Sequence, residues 1–206
     1  MNIMNEGFDI AETIFGNETL TYTKPGGLNY RLFGREFSKQ SISVKFGKWG
    51  EKFFTRLVEI TPDFTMLPHG VLKGIGKDGK SKDVDFLFKD DMRKVVYYRE
   101  LKGNINLDTE KLPATYEKID YLSKYIETTY PEYKLNHGCL NWSVWDGSEY
   151  GSHTGTKTFL TKIKTFEKNG VPVTFTSEIF ELLNIDMDEK TWNDFLLEIG
   201  ERIPKK

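Results

Sequence analysis

Apolar and polar positions alternate most clearly between Asp83 and Lys102. VVYYRELK, residues 95–102, reads as a strand whose side chains take turns between two faces. Val96, Tyr98, Glu100 and Lys102 share one face, and Val95, Tyr97, Arg99 and Leu101 the other. DVDFLF, from Asp83 to Phe88, is a second strand, and the polar turn around Asp90 and Asp91 fits a hairpin with about four or five loop residues. Such a hairpin brings Asp83 and Asp85 opposite Tyr98 to Glu100. Which aspartate faces Glu100 depends on register, which the sequence leaves open. The apolar runs VDFLF and VVYY predict central strands buried on both faces. An Asp, a Glu and a Lys in that setting are costly without a partner or a metal.

The rest of the pattern supplies flanking elements. A short helix is predicted around Phe8 to Phe15. SISVKFG reads as an extended lead into a helix starting near Trp49, with Phe53, Leu57 and Ile60 at helical spacing. Between Met66 and Phe88 the chain reads as strand, glycine-rich turn, strand. Asp108 is a candidate cap for a helix carrying Leu112, Tyr116, Ile119, Leu122 and Ile126. A further strand is expected in KLNHGCLNWSVWDG. Then follow a helix through Phe159 to Phe166, a short strand VPVTFT, a helix through Ile179 to Ile185, and a last helix around Trp192 to Ile203.

The chemistry lies in the hairpin. Opposing or diagonal neighbours in a ladder are roughly 5–8 Å apart, within reach of one divalent ion. Magnesium takes hard oxygen ligands and keeps several waters, so two carboxylates, a backbone carbonyl and a phosphate oxygen suffice. The Leu101 carbonyl, between Glu100 and Lys102, is the natural backbone ligand. Lys102 is placed to orient a water or stabilise a phosphate.

These residues resemble the PD-(D/E)xK nuclease superfamily, and within it the type II restriction endonucleases. The matching positions are Asp85 in VDFLF and Glu100 and Lys102 in ELK; Val84 stands where the motif's name has proline, and Asp83 is a rival for the aspartate's role. The resemblance implies a mixed sheet flanked by helices, magnesium dependence and double-stranded DNA as substrate. Lys45, Gly47 and Glu51 stand in the order of a basic residue, a glycine and a helix-borne glutamate that often precedes the core motif. Glu51 is thereby a candidate to join the metal's outer shell through water, with Glu59 as fallback.

Lys73, Lys77, Lys80 and Lys82 make the glycine-rich turn a basic loop next to this hairpin, and Asn104, Lys111 and Tyr116 follow the second strand on its site side. All are candidate nucleic-acid contacts. Segment 21–40 interleaves basic and aromatic residues and is a candidate arm. Two glycine-rich stretches fail as nucleotide-binding loops. GIGKDG leads from strand to strand, and in GSEYGSHTGTKT a threonine interrupts the Gly-Lys pair. His69, His137 and His153 lack metal-ligand spacing.

Whole-chain properties set bounds and little more. The 206 residues, 38% hydrophobic and 14% aromatic, suit one domain with a substantial core, residues 1–45 being a possible extension that contacts DNA. No apolar run predicts a membrane span, and a single cysteine, Cys139, offers no disulfide framework, so a cytoplasmic protein is expected. The net charge of −2 neither advertises nor excludes a nucleic-acid binder. The resulting expectation is an α/β domain with a central mixed sheet and helices on both faces. Its expected activity is that of a magnesium-dependent, sequence-specific endonuclease, homodimeric and without a nucleotide cofactor. The alternatives are a repair, mobile-element or junction-resolving nuclease of the same fold, and a non-catalytic DNA-binding protein.

Overall fold

The computed structural model describes residues 3–17, 38–76, 79–103, 105, 111–147 and 163–203. The chain divides into two compact units, Met1–Phe53 with Asp188–Lys206, and Phe54–Met187.

The first unit is helical: α1 (Ile3–Asn17), most of α2 (Lys39–Glu59) and α5 (Glu189–Arg202). Its core is aromatic, with Trp49 stacked on Phe53 at 4.8 Å and Phe8 edge-on to Phe195 at 5.1 Å. The Trp49 indole donates to the Gly7 carbonyl at 2.9 Å, which satisfies a polar group that burial would otherwise penalise. Asp188 caps α5 by accepting from the Thr191 amide at 2.7 Å. The helix expected to begin near Trp49 begins ten residues earlier, at Lys39, so the extended lead is overturned. Ile42, Phe46, Trp49 and Phe53 recur at helical spacing, and Phe46 stacks on Trp49 at 5.2 Å. That packing outweighs the weak helix propensity of Ser, Val and Gly in this stretch.

The second unit is a mixed five-stranded sheet flanked by helices. Its strands are β1 (Phe64–Met66), β4 (Phe86–Asp90), β5 (Val95–Lys102), β6 (Lys134–Asn141) and β7 (Val173–Phe175), hydrogen-bonded in that order. The β1–β4 and β4–β5 pairs are antiparallel, while β5–β6 and β6–β7 are parallel. β5 reaches β6 through α3 (Lys111–Thr129), the crossover that a parallel pair requires. A separate two-stranded sheet pairs β2 (Gly70–Leu72) with β3 (Lys82–Val84), so GIGKDG does join strand to strand. Residues 163–168 are helical, and α4 (Thr176–Leu182) starts and ends three residues before the helix expected from Ile179 to Ile185.

Alternation assigns the two sheet faces. Leu87, Val96, Tyr98 and Cys139 pack with Ile119, Leu122 and Ile126 of α3 in one buried cluster. On the other face Phe86 and Trp142 meet Phe54 from the end of α2 at 6.2 and 6.4 Å, and Phe88 stacks on Tyr97 at 4.9 Å. Both central strands are thus buried on both faces, and each fully buried large apolar side chain contributes about 1.5–3 kcal/mol. Cys139 is wholly buried, and burial pushes its thiol up to about 12, as expected of an inert core cysteine. At Gly138 of β6 an added Cβ would lie 2.6 Å from the Pro172 carbonyl oxygen, so only glycine permits this approach. No helix among the described residues is long and apolar enough to cross a membrane.

Candidate active site

The hairpin register sets one of the two aspartates beside Glu100. Phe86 pairs with Arg99 and Leu87 with Tyr98, which sets Asp85, one residue before β4, across from Glu100 on the α3 face. Asp83 instead pairs with Val71 in the small sheet and is exposed. The chain changes sheets at Asp85, so β5 has no strand partner beyond Arg99 on that side. The Asp85 side chain fills the gap, its Oδ2 accepting the Leu101 amide at 2.9 Å. In an antiparallel ladder a residue's N–H and C=O turn toward the same neighbour, so the Leu101 carbonyl is directed to the Asp85 side as well.

Two lysines complete the cluster. Lys102 donates to Glu100 Oε1 at 2.7 Å from the same face of β5. Lys118 of α3 reaches down between the acids, its Nζ 2.9 Å from Asp85 Oδ1 and 2.6 Å from Glu100 Oε2. Two carboxylates and two ammonium groups therefore form a quartet without net formal charge. The acids are largely withdrawn from water, with side chains 9% exposed for Asp85 and 4% for Glu100. Such burial is tolerable only because each carboxylate keeps charged or backbone donors.

The environment splits the two acids. Burial, and next the Glu100 charge, push Asp85 up to about 6 against the pull of Lys118 and Lys102. Burial pushes Glu100 upward too, but Lys102 and Lys118 outweigh it and hold it below the ordinary glutamate range. Burial works against the Lys118 ammonium, yet Asp85 and Glu100 raise it above the ordinary lysine range.

The donor set suits a hard divalent ion. Asp85 Oδ1 and Glu100 Oε2 already converge on one cationic nitrogen, and Leu101 lies beside them with its amide on Asp85 Oδ2. No group of three or more His, Cys, Asp or Glu able to hold a metal occurs among the described residues.

The remaining candidates fall in different places. Lys73 and Lys80 are exposed on the β2–β3 hairpin, which ends at Val84, one residue before Asp85. Lys82 is half-buried, 5.8 Å above the Tyr121 ring of α3, and the Tyr121 hydroxyl donates to the Ile75 carbonyl, so the hairpin is tied to the helix that carries Lys118. Tyr116 packs edge-on against Phe166 at 5.1 Å. Glu51 is exposed on α2 within the helical unit, and Glu59 pairs with Arg56 at 3.3 Å in solvent. Lys77, Asn104, Asp108 and His153 lie outside the described residues, as do the side chain of Lys111, most of segment 21–40 and the GSEYGSHTGTKT loop.

Lys118 is the group that the sequence pattern alone did not single out. Its signal was faint: it lies three and four residues before Tyr121 and Leu122, at the edge of the apolar stripe of α3, where a lysine reads as a surface residue.

No family model matches this chain, and no curated protein matches it. Among solved structures it is similar to the small subunit of a heterodimeric restriction endonuclease, at 11% sequence identity and a TM-score of 0.34, over 97% of this chain and 100% of that one.

Proposed function

We propose that the protein is a magnesium-dependent endonuclease that hydrolyses phosphodiester bonds in double-stranded DNA, in the manner of a type II restriction enzyme. The observation that carries this reading is the convergence of Asp85, Glu100, the Leu101 backbone and Lys102 at one end of the central strand of a mixed sheet, with the Lys118 ammonium seated between the two acids. The site residues also fall on the Asp85, Glu100 and Lys102 positions of the PD-(D/E)xK pattern.

Asp85, Glu100 and the Leu101 carbonyl would hold the ion. Bound there, magnesium would supply an acidified water and offset charge building on the phosphate. Asp85 must be ionised to contribute, and burial makes it the later of the two acids to lose its proton. Glu100 is held ionised by its lysines and fixes the Lys102 ammonium 2.7 Å away. Lys102 then orients the attacking water or donates to a non-bridging phosphate oxygen, a contact of value where charge develops. Lys73, Lys80 and Lys82 draw the polyanionic backbone toward the hairpin that leads into Asp85. Cutting both strands symmetrically calls for two such sites, which a twofold homodimer provides.

The test is incubation of the purified protein with supercoiled and linear plasmid DNA and magnesium, beside Lys102→Ala protein and an EDTA control. Discrete fragments that vanish in both controls are expected. Intact DNA across a panel of divalent ions, with branched substrates included, would overturn the proposal.

A further inference from the structure

Lys118 occupies the position where the inward oxygens of both acids meet. The outward oxygens are engaged elsewhere: Asp85 Oδ2 holds the Leu101 amide, and Glu100 Oε1 holds Lys102. Oδ1 of Asp85 and Oε2 of Glu100 thus share one ammonium as their common cation. The seat that both acids face at once lies between these two oxygens, and a divalent ion bound there repels the ammonium. Lys118 is suited to be exchanged. It is a single charge on a flexible stem, its side chain is 21% exposed, and it belongs to α3 and not to the strands that carry the acids.

We propose that Lys118 is the resident counter-ion of the Asp85–Glu100 pair and competes with the divalent ion for that seat. The proposal rests on the metal-dependent nuclease reading and deepens it. In the free protein the lysine neutralises the buried acids and weakens ion binding. When the ion enters, Lys118 is released toward solvent, where a DNA phosphate is the acceptor best matched to it. DNA and the ion then favour one another's binding, because each removes the alternative partner of the other's site.

The test is calorimetric titration of magnesium into DNA-free wild-type, Lys118→Met, Lys118→Gln and Lys118→Arg proteins, with thermal unfolding measured with and without the ion. Removing the charge is expected to tighten magnesium binding by about tenfold. The ion-free melting temperature falls in Lys118→Met and Lys118→Gln, and magnesium restores more of it than it adds to wild type. Lys118→Arg stays near wild type. If wild type binds magnesium and both neutral variants bind it equally or more weakly, the competition is refuted while the nuclease reading stands. If no protein in the series binds magnesium, the competition is refuted, and the plasmid-cleavage assay decides the nuclease reading separately. An Asp85→Asn/Lys118→Met protein that retains the tightened binding would also refute the proposal, because the ion would then lie elsewhere.

Discussion

Asp85 holds the Leu101 amide at 2.9 Å, so a side chain takes the place of a strand partner where β5 runs past the end of β4. One residue thereby closes the sheet edge with one oxygen and offers the other to a cation. The two roles are separable, because an amide retains an acceptor oxygen and loses the charge.

Asp85→Asn is therefore expected to fold and to keep the Leu101 hydrogen bond, while DNA cleavage falls by about 100-fold or more, the scale of losing one preorganised electrostatic group. Its pH dependence has a definite sign. A carboxyl raised to about 6 in the folded state binds more protons there than in the unfolded chain, so the Asp85 contribution to stability is fully present below about pH 4 and is lost as pH rises through about 6. In metal-free buffer the stability of wild type relative to Asp85→Asn should fall by up to about 3 kcal/mol across that window. Urea unfolding of both proteins at a series of pH values measures it. A difference that stays flat from pH 4 to 7 would show that Asp85 is not shifted upward.

The β2–β3 hairpin makes a prediction about affinity without chemistry. Lys73 and Lys80 are exposed, so neutralising both should leave folding within about 0.5 kcal/mol of wild type. DNA binding should weaken across all sequences, and the slope of log affinity against log salt should shrink by about one for each phosphate that a lysine no longer neutralises. Fluorescence anisotropy at several salt concentrations reads both quantities. An unchanged slope would remove the hairpin from the DNA interface.

Gly138 tests the packing of the parallel strands. Its missing Cβ would press on the Pro172 carbonyl at 2.6 Å, and that carbonyl also accepts the Cys139 amide at 2.8 Å. Gly138→Ala must push this backbone away and is expected to cost about 1–3 kcal/mol. Thermal or urea unfolding reads the loss, and an alanine variant as stable as wild type would mean that the β7 side yields freely.

The strand that carries Glu100 was legible because alternation is a local property, and the polar turn announced the hairpin; the single strand expected from Asp83 to Phe88 instead breaks at Asp85 into β3 and β4 of different sheets, a split that alternation does not encode. The β4–β5 connection is the four residues Asp91–Lys94, within the expected loop length. What alternation could not supply was register, and register placed Asp85 rather than Asp83 beside Glu100. The start of α2 was obscured because Ser, Val and Gly are weak helix formers, and only packing such as Phe46 on Trp49 reveals why they are helical. Lys118 was hidden for a related reason: its partners, Asp85 before β4 and Glu100 on β5, lie 33 and 18 residues away along the chain, and no local spacing encodes that meeting.

The four-residue turn between β4 and β5 has a consequence for the order of assembly. A local hairpin closes on a scale of about 1–10 μs, whereas β6 pairs with β5 only after a crossover that includes α3. That order predicts that Asp85 and Glu100 approach one another before Lys118 docks, and that Lys118 then offsets part of the repulsion between them. Lys118 should accordingly stabilise the native state and leave the transition state untouched. Stopped-flow kinetics on Lys118→Met are expected to show faster unfolding with little change in the folding rate. The molecule's late-arriving charge would then act as a latch on a site already formed.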